Sequence, residues 1–89
     1  MNRVFVSGSI GANPRVSYTP RGQKIITFPM WVEDGGFSID VVFSGESRMP
    51  DALAAIGKRV VVSGVLANMK SELRNVLRVR ASQILPMEE

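Results

Sequence analysis

The stretch that decides the fold runs from Gln23 to Ser44 and reads QKIITFPMWVEDGGFSIDVVFS. It alternates as two strands on either side of a turn at Asp34-Gly35-Gly36. Alternation with period two puts one apolar stripe of the first arm on a single face: Ile26, Phe28, Met30 and Val32. Trp31 falls on the opposite face. A half-solvated strand should be polar there, so we expect Trp31 to lie in a second core, a subunit interface or a ligand site.

The second arm carries an apolar stripe of its own: Phe37, Ile39, Val41 and Phe43. A three-residue loop pairs Trp31 with Ile39. Since directly opposed residues share a face, the stripe then points outward beside Trp31. A two-residue loop puts the same stripe on the Phe28 side, where it becomes core. Spacing alone leaves the two registers open.

A single domain over residues 1–89 is expected, because 89 residues lie near the size at which one core is only marginally sufficient. Burial of surface between subunits would supplement that core. The sequence has no Cys and no His, and its carboxylates form no metal-binding or acid–base arrangement. We therefore expect that the protein is not an enzyme and needs no metal or cofactor.

The net charge is modest, at +3, but its placement is uneven. Six Lys and Arg residues and one Glu lie between Lys58 and Arg80, so the basic excess is concentrated in one segment. The N-terminus enters a strand pattern at once, without a signal-peptide pattern, and no apolar run approaches membrane-spanning length. We expect a cytoplasmic protein without membrane contact.

Alternation predicts three more strands: Asn2 to Ile10, Arg59 to Leu66 and Val76 to Leu85. Gly8 and Gly64 lie inside two of them, which indicates a bend or a close backbone approach. The one helical signal runs from Gly45 to Gly57. Pro50 suits the first turn of that helix, and Gly57 suits its C-terminal cap.

The connection from Gly11 to Gly22 is expected to be a long loop that ends in a type I turn at Thr19-Pro20-Arg21-Gly22. Four residues with a charge or a ring cluster in it and just after it: Arg15, Tyr18, Arg21 and Lys24. A solvated loop is one interpretation. The other is a loop that contacts nucleic acid, with cations for phosphates and a ring face for a base.

The order of three strands, one short helix and two strands is that of the OB-fold. This fold is all-β, a five-stranded Greek-key barrel, here with one short helix between strands 3 and 4 that plugs one end. OB-folds bind oligonucleotides on the face of strands 2 and 3 and with two flanking loops. The outer face of the hairpin from Gln23 to Ser44 is therefore the predicted ligand face.

Three segments also carry a resemblance to a known family: Asn2 to Gly8, Asn13 to Gly22 and Phe28 to Val32. They are similar to the opening of the bacterial single-stranded DNA-binding (SSB) proteins and of their shorter relative PriB, the primosomal replication protein N. The likeness extends over nearly the whole chain, through Val41-Val42-Phe43, Gly57 and Val62 to Leu66. No single motif is decisive, but the ordered set is specific.

The resemblance implies two base-stacking aromatics at the ends of strand 3, Phe37 and Phe43, and this favours the outward register. The family's stacking Trp in the hairpin between strands 2 and 3 has no counterpart here, and we expect Trp31 to substitute for it. The family's aromatic in the loop between strands 4 and 5 is also missing. We expect charge from Lys70 and Arg74 in its place.

The predicted function is sequence-tolerant binding of single-stranded DNA in replication, repair or primosome assembly. Bases would stack on the outward aromatics, and phosphates would contact the basic loops. The predicted site comprises Arg15, Tyr18, Arg21, Lys24, Trp31, Phe37, Phe43, Lys70 and Arg74.

Subunit and protein partners are a separate expectation. The resemblance implies a homodimer or a dimer-based tetramer, and Phe5 offers an apolar contact on the outer face of the first strand. Other replication proteins are a further class of expected partner. The alternative function is an OB-fold adaptor in PriB-like replication restart, whose outer hairpin self-associates or docks a replication protein and binds nucleic acid weakly. The sequence leaves an SSB-like and a PriB-like role open, and likewise DNA and RNA.

Overall fold

The computed structural model describes residues 1–44, 55–71 and 74–87, and for residues 70, 71, 74 and 75 the backbone only. The described residues form six strands: β1 Val4–Ile10, β2 Arg15–Tyr18, β3 Lys24–Val32, β4 Phe37–Ser44, β5 Arg59–Ser71 and β6 Arg74–Pro86. The predicted helix falls largely on residues 45–54, outside the described residues. Within the described part of the chain, no helix is long and apolar enough to cross a membrane.

Five of these strands close into a barrel in the order β1-β5-β6-β4-β3, because β1 pairs with β3 as well as with β5. β4 and β6 run parallel. The other neighbours in the barrel are antiparallel. The predicted five-stranded OB-fold barrel is confirmed.

β2 is an addition to the prediction, which treated residues 11–22 as a loop. β1 pairs with β3 only through Ser9 and Ile10, so the first half of β3 keeps an unpaired edge. β2 fills that edge with four antiparallel pairs, from Arg15 to Tyr18. The backbone of Arg15 is therefore held in a sheet.

The core of the barrel is built on the apolar stripe of β3. All four residues of that stripe are buried: Ile26, Phe28, Met30 and Val32. Val60 and Val62 of β5 and Val79 of β6 belong to the same cluster. Trp31 lies on the opposite face and is 43% exposed, as the alternation predicts.

Two glycines let strands pass close to one another, as their mid-strand positions indicate. A Cβ atom at Gly8 would collide with the main-chain carbonyl oxygen of Trp31, where β1 meets β3. A Cβ atom at Gly64 would collide with the carbonyl oxygen of Arg80, beside the register shift between β5 and β6. Any larger residue would push these strands apart, so the closed barrel depends on both glycines.

The β3–β4 turn decides which face of β4 enters the core. Val32 pairs with Phe37, so residues 33–36 form the loop. Gly36 has a φ of 65° and donates its N–H to the carbonyl oxygen of Val32 at 2.9 Å, a conformation that glycine adopts without strain. A loop with an even number of residues puts Phe37 on the face of Phe28, as a two-residue loop would. The outward register that the resemblance favoured is therefore wrong.

Phe43 shows the consequence of this register most clearly. It pairs with Ile26 and is only 3% exposed, so its ring is part of the core. Phe37 shares the same face but lies at the end of the barrel, where it is 47% exposed. The predicted row of Trp31, Phe37 and Phe43 on one outward face does not form in this structure.

Replacing Phe43 by Ala should lower the free energy of unfolding by about 3–5 kcal/mol, because it empties a site in the core. Trp31→Ala, on the exposed face, should cost about 1 kcal/mol or less. Urea denaturation followed by circular dichroism, at one protein concentration for all variants, measures both. Equal stability of the two variants would contradict the register described here.

Candidate nucleic-acid interface

The face of the sheet that carries Trp31 also carries arginines from β2 and β6. Arg15 of β2 lies opposite Thr27 of β3. On the other side of β4, Asp40 lies opposite Arg78 of β6, one row away from Arg80. We call this the outer sheet face, formed by Arg15, Thr27, Pro29, Trp31, Ser38, Asp40, Val42, Arg78 and Arg80.

Trp31 provides the aromatic surface of the outer sheet face. Its backbone is fixed twice, because it pairs with Ser38 of β4 and with Ser9 of β1. Gly8 lies directly against its carbonyl group. A ring that is exposed on a rigid backbone is suited to stacking, since little conformational freedom is lost when a flat ligand binds.

Arginines stand at both margins of this face. Arg15, Thr27, Val42 and Arg80 form one continuous cross-strand row over β2, β3, β4 and β6. Three strand spacings of about 4.8 Å separate the ends of the row by about 14 Å. An extended polyanion that crosses the sheet would therefore meet a cation on each side of the neutral centre.

Two cavities flank β4 on the outer sheet face. One, of about 210 Å³, lies toward β2 and is lined by Ala12, Asn13, Arg15, Thr27, Phe28, Pro29 and Asp40. The other, of about 200 Å³, lies toward the β5–β6 hairpin and is lined by Val42, Ala67, Asn68, Met69, Arg78 and Arg80. The face is thus grooved on both sides of β4.

Three of the predicted site residues lie around the edge of the outer sheet face. Tyr18 and Lys24 are paired across β2 and β3 and share the face of Ile26, not that of Trp31. Arg21 lies in the turn between these strands, where Gly22 donates its N–H to the carbonyl oxygen of Thr19 at 2.8 Å. All three predicted residues are exposed.

The remaining predicted residues are not assembled with Trp31. Phe43 is in the core, and Phe37 contacts Gly35 at the end of the barrel. The backbone of Lys70 and Arg74 lies near the tip of the β5–β6 hairpin, and their side chains lie outside the described residues. Of the predicted set, the structure places Arg15 and Trp31 on the outer sheet face.

Arg78 and Arg80 are the site residues that sequence reasoning missed. Alternation with the buried Val79 and Ala81 already places them outward. No local sequence pattern shows the parallel pairing of β4 with β6, which makes that outward face continuous with the face of Trp31. Among the described residues, no group of three or more His, Cys, Asp or Glu side chains could hold a metal ion.

Comparison with known proteins finds relatives by structure only. No protein-family model matches the sequence. No curated protein matches it either. The single-stranded DNA-binding protein of Thermus aquaticus superposes with a TM-score of 0.82 at 21% identity, over 100% of this chain and 41% of that one.

Two other solved structures match over most of both chains. The second single-stranded DNA-binding protein (SSBb) of Mycobacterium smegmatis has a TM-score of 0.83 and 26% identity, over 98% of this chain and 87% of that one. The dimeric N-terminal domain of PriB from Thermoanaerobacter tencongensis has a TM-score of 0.75 and 21% identity, over 99% and 98%. The resemblance that the sequence carries is thus confirmed by structure.

Proposed function

This chain has the OB-fold of the SSB and PriB proteins, and we propose that it binds single-stranded DNA on its outer sheet face. The observation that carries the proposal is the exposed Trp31 on a sheet surface whose two margins bear Arg15, Arg78 and Arg80. Two of the matching structures are described as single-stranded DNA-binding proteins. The proposed role is binding in replication, repair or primosome assembly, without catalysis, in the cytoplasm.

Base stacking and charge make separate contributions to binding. A base that stacks on Trp31 contributes about 1–3 kcal/mol and does so for any sequence, because every base has a π-face. Phosphates contact Arg15 on the outer sheet face, and Arg21 and Lys24 at its edge, so affinity falls as salt rises. Duplex binds poorly, since its bases are already stacked on one another. The binding is therefore sequence-tolerant and specific for single strands.

The rest of the predicted site takes a smaller part in this proposal. Tyr18 and Phe37 are exposed at opposite ends of the hairpin region but on the face opposite to Trp31, so only a longer strand that passes around the edge of the sheet would reach them. Lys70 and Arg74 would add charge from the β5–β6 hairpin. Phe43 is left out, because its ring would have to leave the core to meet a base.

Fluorescence anisotropy of a labelled oligothymidine tests the proposal at two salt concentrations, with a duplex of the same length as control. The double variant Arg15→Glu, Arg21→Glu should bind at least about tenfold more weakly, because two phosphate contacts become repulsive. Lys58→Glu, an exposed charge reversal at a residue outside the outer sheet face as defined above, should bind nearly as the wild type does. If the wild-type protein does not bind the single strand, or binds the duplex more tightly, the proposed function is excluded.

A second surface supports self-association. β1 leaves its edge from Val4 to Gly8 unpaired by β3. Phe5, which is 75% exposed, lies on the outer side of β1 with Val61 of β5 one row away and Leu85 of β6 beyond it. An exposed apolar surface of this kind marks a protein contact. The matching PriB domain is described as dimeric, and we propose that this chain forms a homodimer, or a tetramer built from two such dimers, through this surface.

Phe5→Glu should convert the dimer to a monomer, because it puts an uncompensated charge at the centre of the apolar contact. Analytical ultracentrifugation at several concentrations measures the mass. Leu77→Glu removes an exposed apolar residue of the β5–β6 hairpin and should leave the mass of the wild type. A monomeric wild type would rule out self-association. If the Phe5→Glu variant remains a dimer, the subunit contact lies on another surface.

The apolar surface around Phe5 also favours the alternative adaptor function, which the sequence analysis placed on the outer hairpin instead. An adaptor would remain a dimer and bind a replication protein. In the anisotropy measurement it would bind neither single-stranded nor duplex DNA. Binding of the oligothymidine that weakens with salt would instead favour the single-stranded DNA function.

A further inference from the structure

The groove between β4 and the β5–β6 hairpin combines charge with an apolar wall. Its volume is about 200 Å³, and Arg78 and Arg80 line it together with Val42 and Met69. The two arginines occupy alternate positions of β6, so both project from the same side of the sheet. The groove adjoins the outer sheet face, because Val42 and both arginines belong to each.

Arg78 carries a hydrogen-bond donor that the protein does not satisfy. Its Nε atom is shielded from solvent and has no hydrogen-bond partner among the described residues. Buried polar groups nearly always find partners, because an unpaired donor has lost its hydration without compensation. The side chain as a whole is half-buried and lines the open groove. Since Nε itself is shielded, an acceptor that enters the groove from solvent would meet the rest of the guanidinium group.

Asp40 is the carboxylate best placed to pair with Arg78, since it lies directly opposite on β4. Within the described part of the chain, Arg59 and Glu33 form an ion pair at 3.7 Å, whereas Asp40 and Arg78 do not form one. Asp40 lines the neighbouring cavity, which it shares with Arg15. The charge of Arg78 thus remains available to an anion in its own groove.

From this geometry we infer that the groove is a phosphodiester-binding pocket of the nucleic-acid interface, with Arg78 as its main contact and Arg80 at its rim. The inference rests on the proposed function. A guanidinium group matches two oxygens of a phosphate with parallel N–H bonds, which a carboxamide or an ammonium group does not. Val42 and Met69 offer apolar contact to the sugar that is attached to that phosphate.

The pocket also indicates the path of the strand. Arg78 lies two strands from Trp31 across the sheet and about one row along it, a distance on the order of 12 Å. The carboxylate of Asp40, between them on β4, repels a phosphate that would lie directly above it. The strand therefore crosses β4 with its bases toward Trp31 and turns its backbone into the groove.

Substitutions at the two arginines test the pocket, with affinity for a labelled oligothymidine measured over a range of NaCl concentrations. Arg78→Gln should weaken binding about tenfold at low salt. It should also reduce the slope of log affinity against log salt by about 0.7, the value for one lost phosphate contact on a single strand. Arg80→Gln should show a smaller loss in the same direction. Lys58→Gln, which removes one exposed charge elsewhere, is the matched control.

Arg78→Lys separates a bidentate contact from mere charge. It keeps the cation but loses the planar fork, so its affinity should lie below that of the wild type and near that of Arg78→Gln. The thermal midpoint of unfolding of Arg78→Gln should equal or exceed that of the wild type, because the substitution removes the unpaired buried Nε. This readout distinguishes loss of a ligand contact from loss of structure.

The outcomes distinguish the inference from the function on which it rests. If the wild type binds the oligothymidine while Arg78→Gln and Arg80→Gln bind like Lys58→Gln, the pocket is wrong and the proposed function stands. Full rescue by Arg78→Lys would overturn the bidentate phosphate contact. A wild type that does not bind at all would overturn the proposed function and the pocket with it.

Discussion

The pairing of Val32 with Phe37 is the contact on which the rest of the structure depends. Side chains alternate along a strand, so this one pair determines the face on which each residue of β4 lies. It sends Val41 and Phe43 into the barrel and leaves Val42 outward. Because β6 pairs in parallel with β4, the same register also determines which residues of β6 face the core and which face outward. A shift by one residue would bury charge and expose the core.

The outer sheet face follows from that register. Val42 stands between Thr27 and Arg80, and the arginines lie at the two margins, while the centre carries the indole ring of Trp31 and the carboxylate of Asp40. A single strand can place bases at the centre and phosphates at the margins, because it is flexible and its bases are free. This arrangement needs no large excess of charge, in keeping with a net charge of +3.

Most of the fold could be predicted from the sequence, because local patterns carry it. Strand alternation, the glycines at positions 8 and 64 and the outward position of Trp31 all hold in the structure. The register of β4 could not be predicted. It depends on the left-handed conformation of Gly36, in a loop whose length the spacing left open. The resemblance to the SSB family then favoured the wrong face for Phe43. Arg78 was missed because its place beside β4 comes from pairing between residues distant in sequence.

The fluorescence of Trp31, the single tryptophan of the chain, tests the central claim most directly. It should be titrated with an unstructured oligothymidine at two salt concentrations and with a duplex, while a labelled oligonucleotide reports binding independently. The account predicts strong quenching by the single strand, weaker at high salt and absent with duplex. Binding of the labelled strand with unchanged Trp31 fluorescence would contradict it, because the DNA would then lie on another surface.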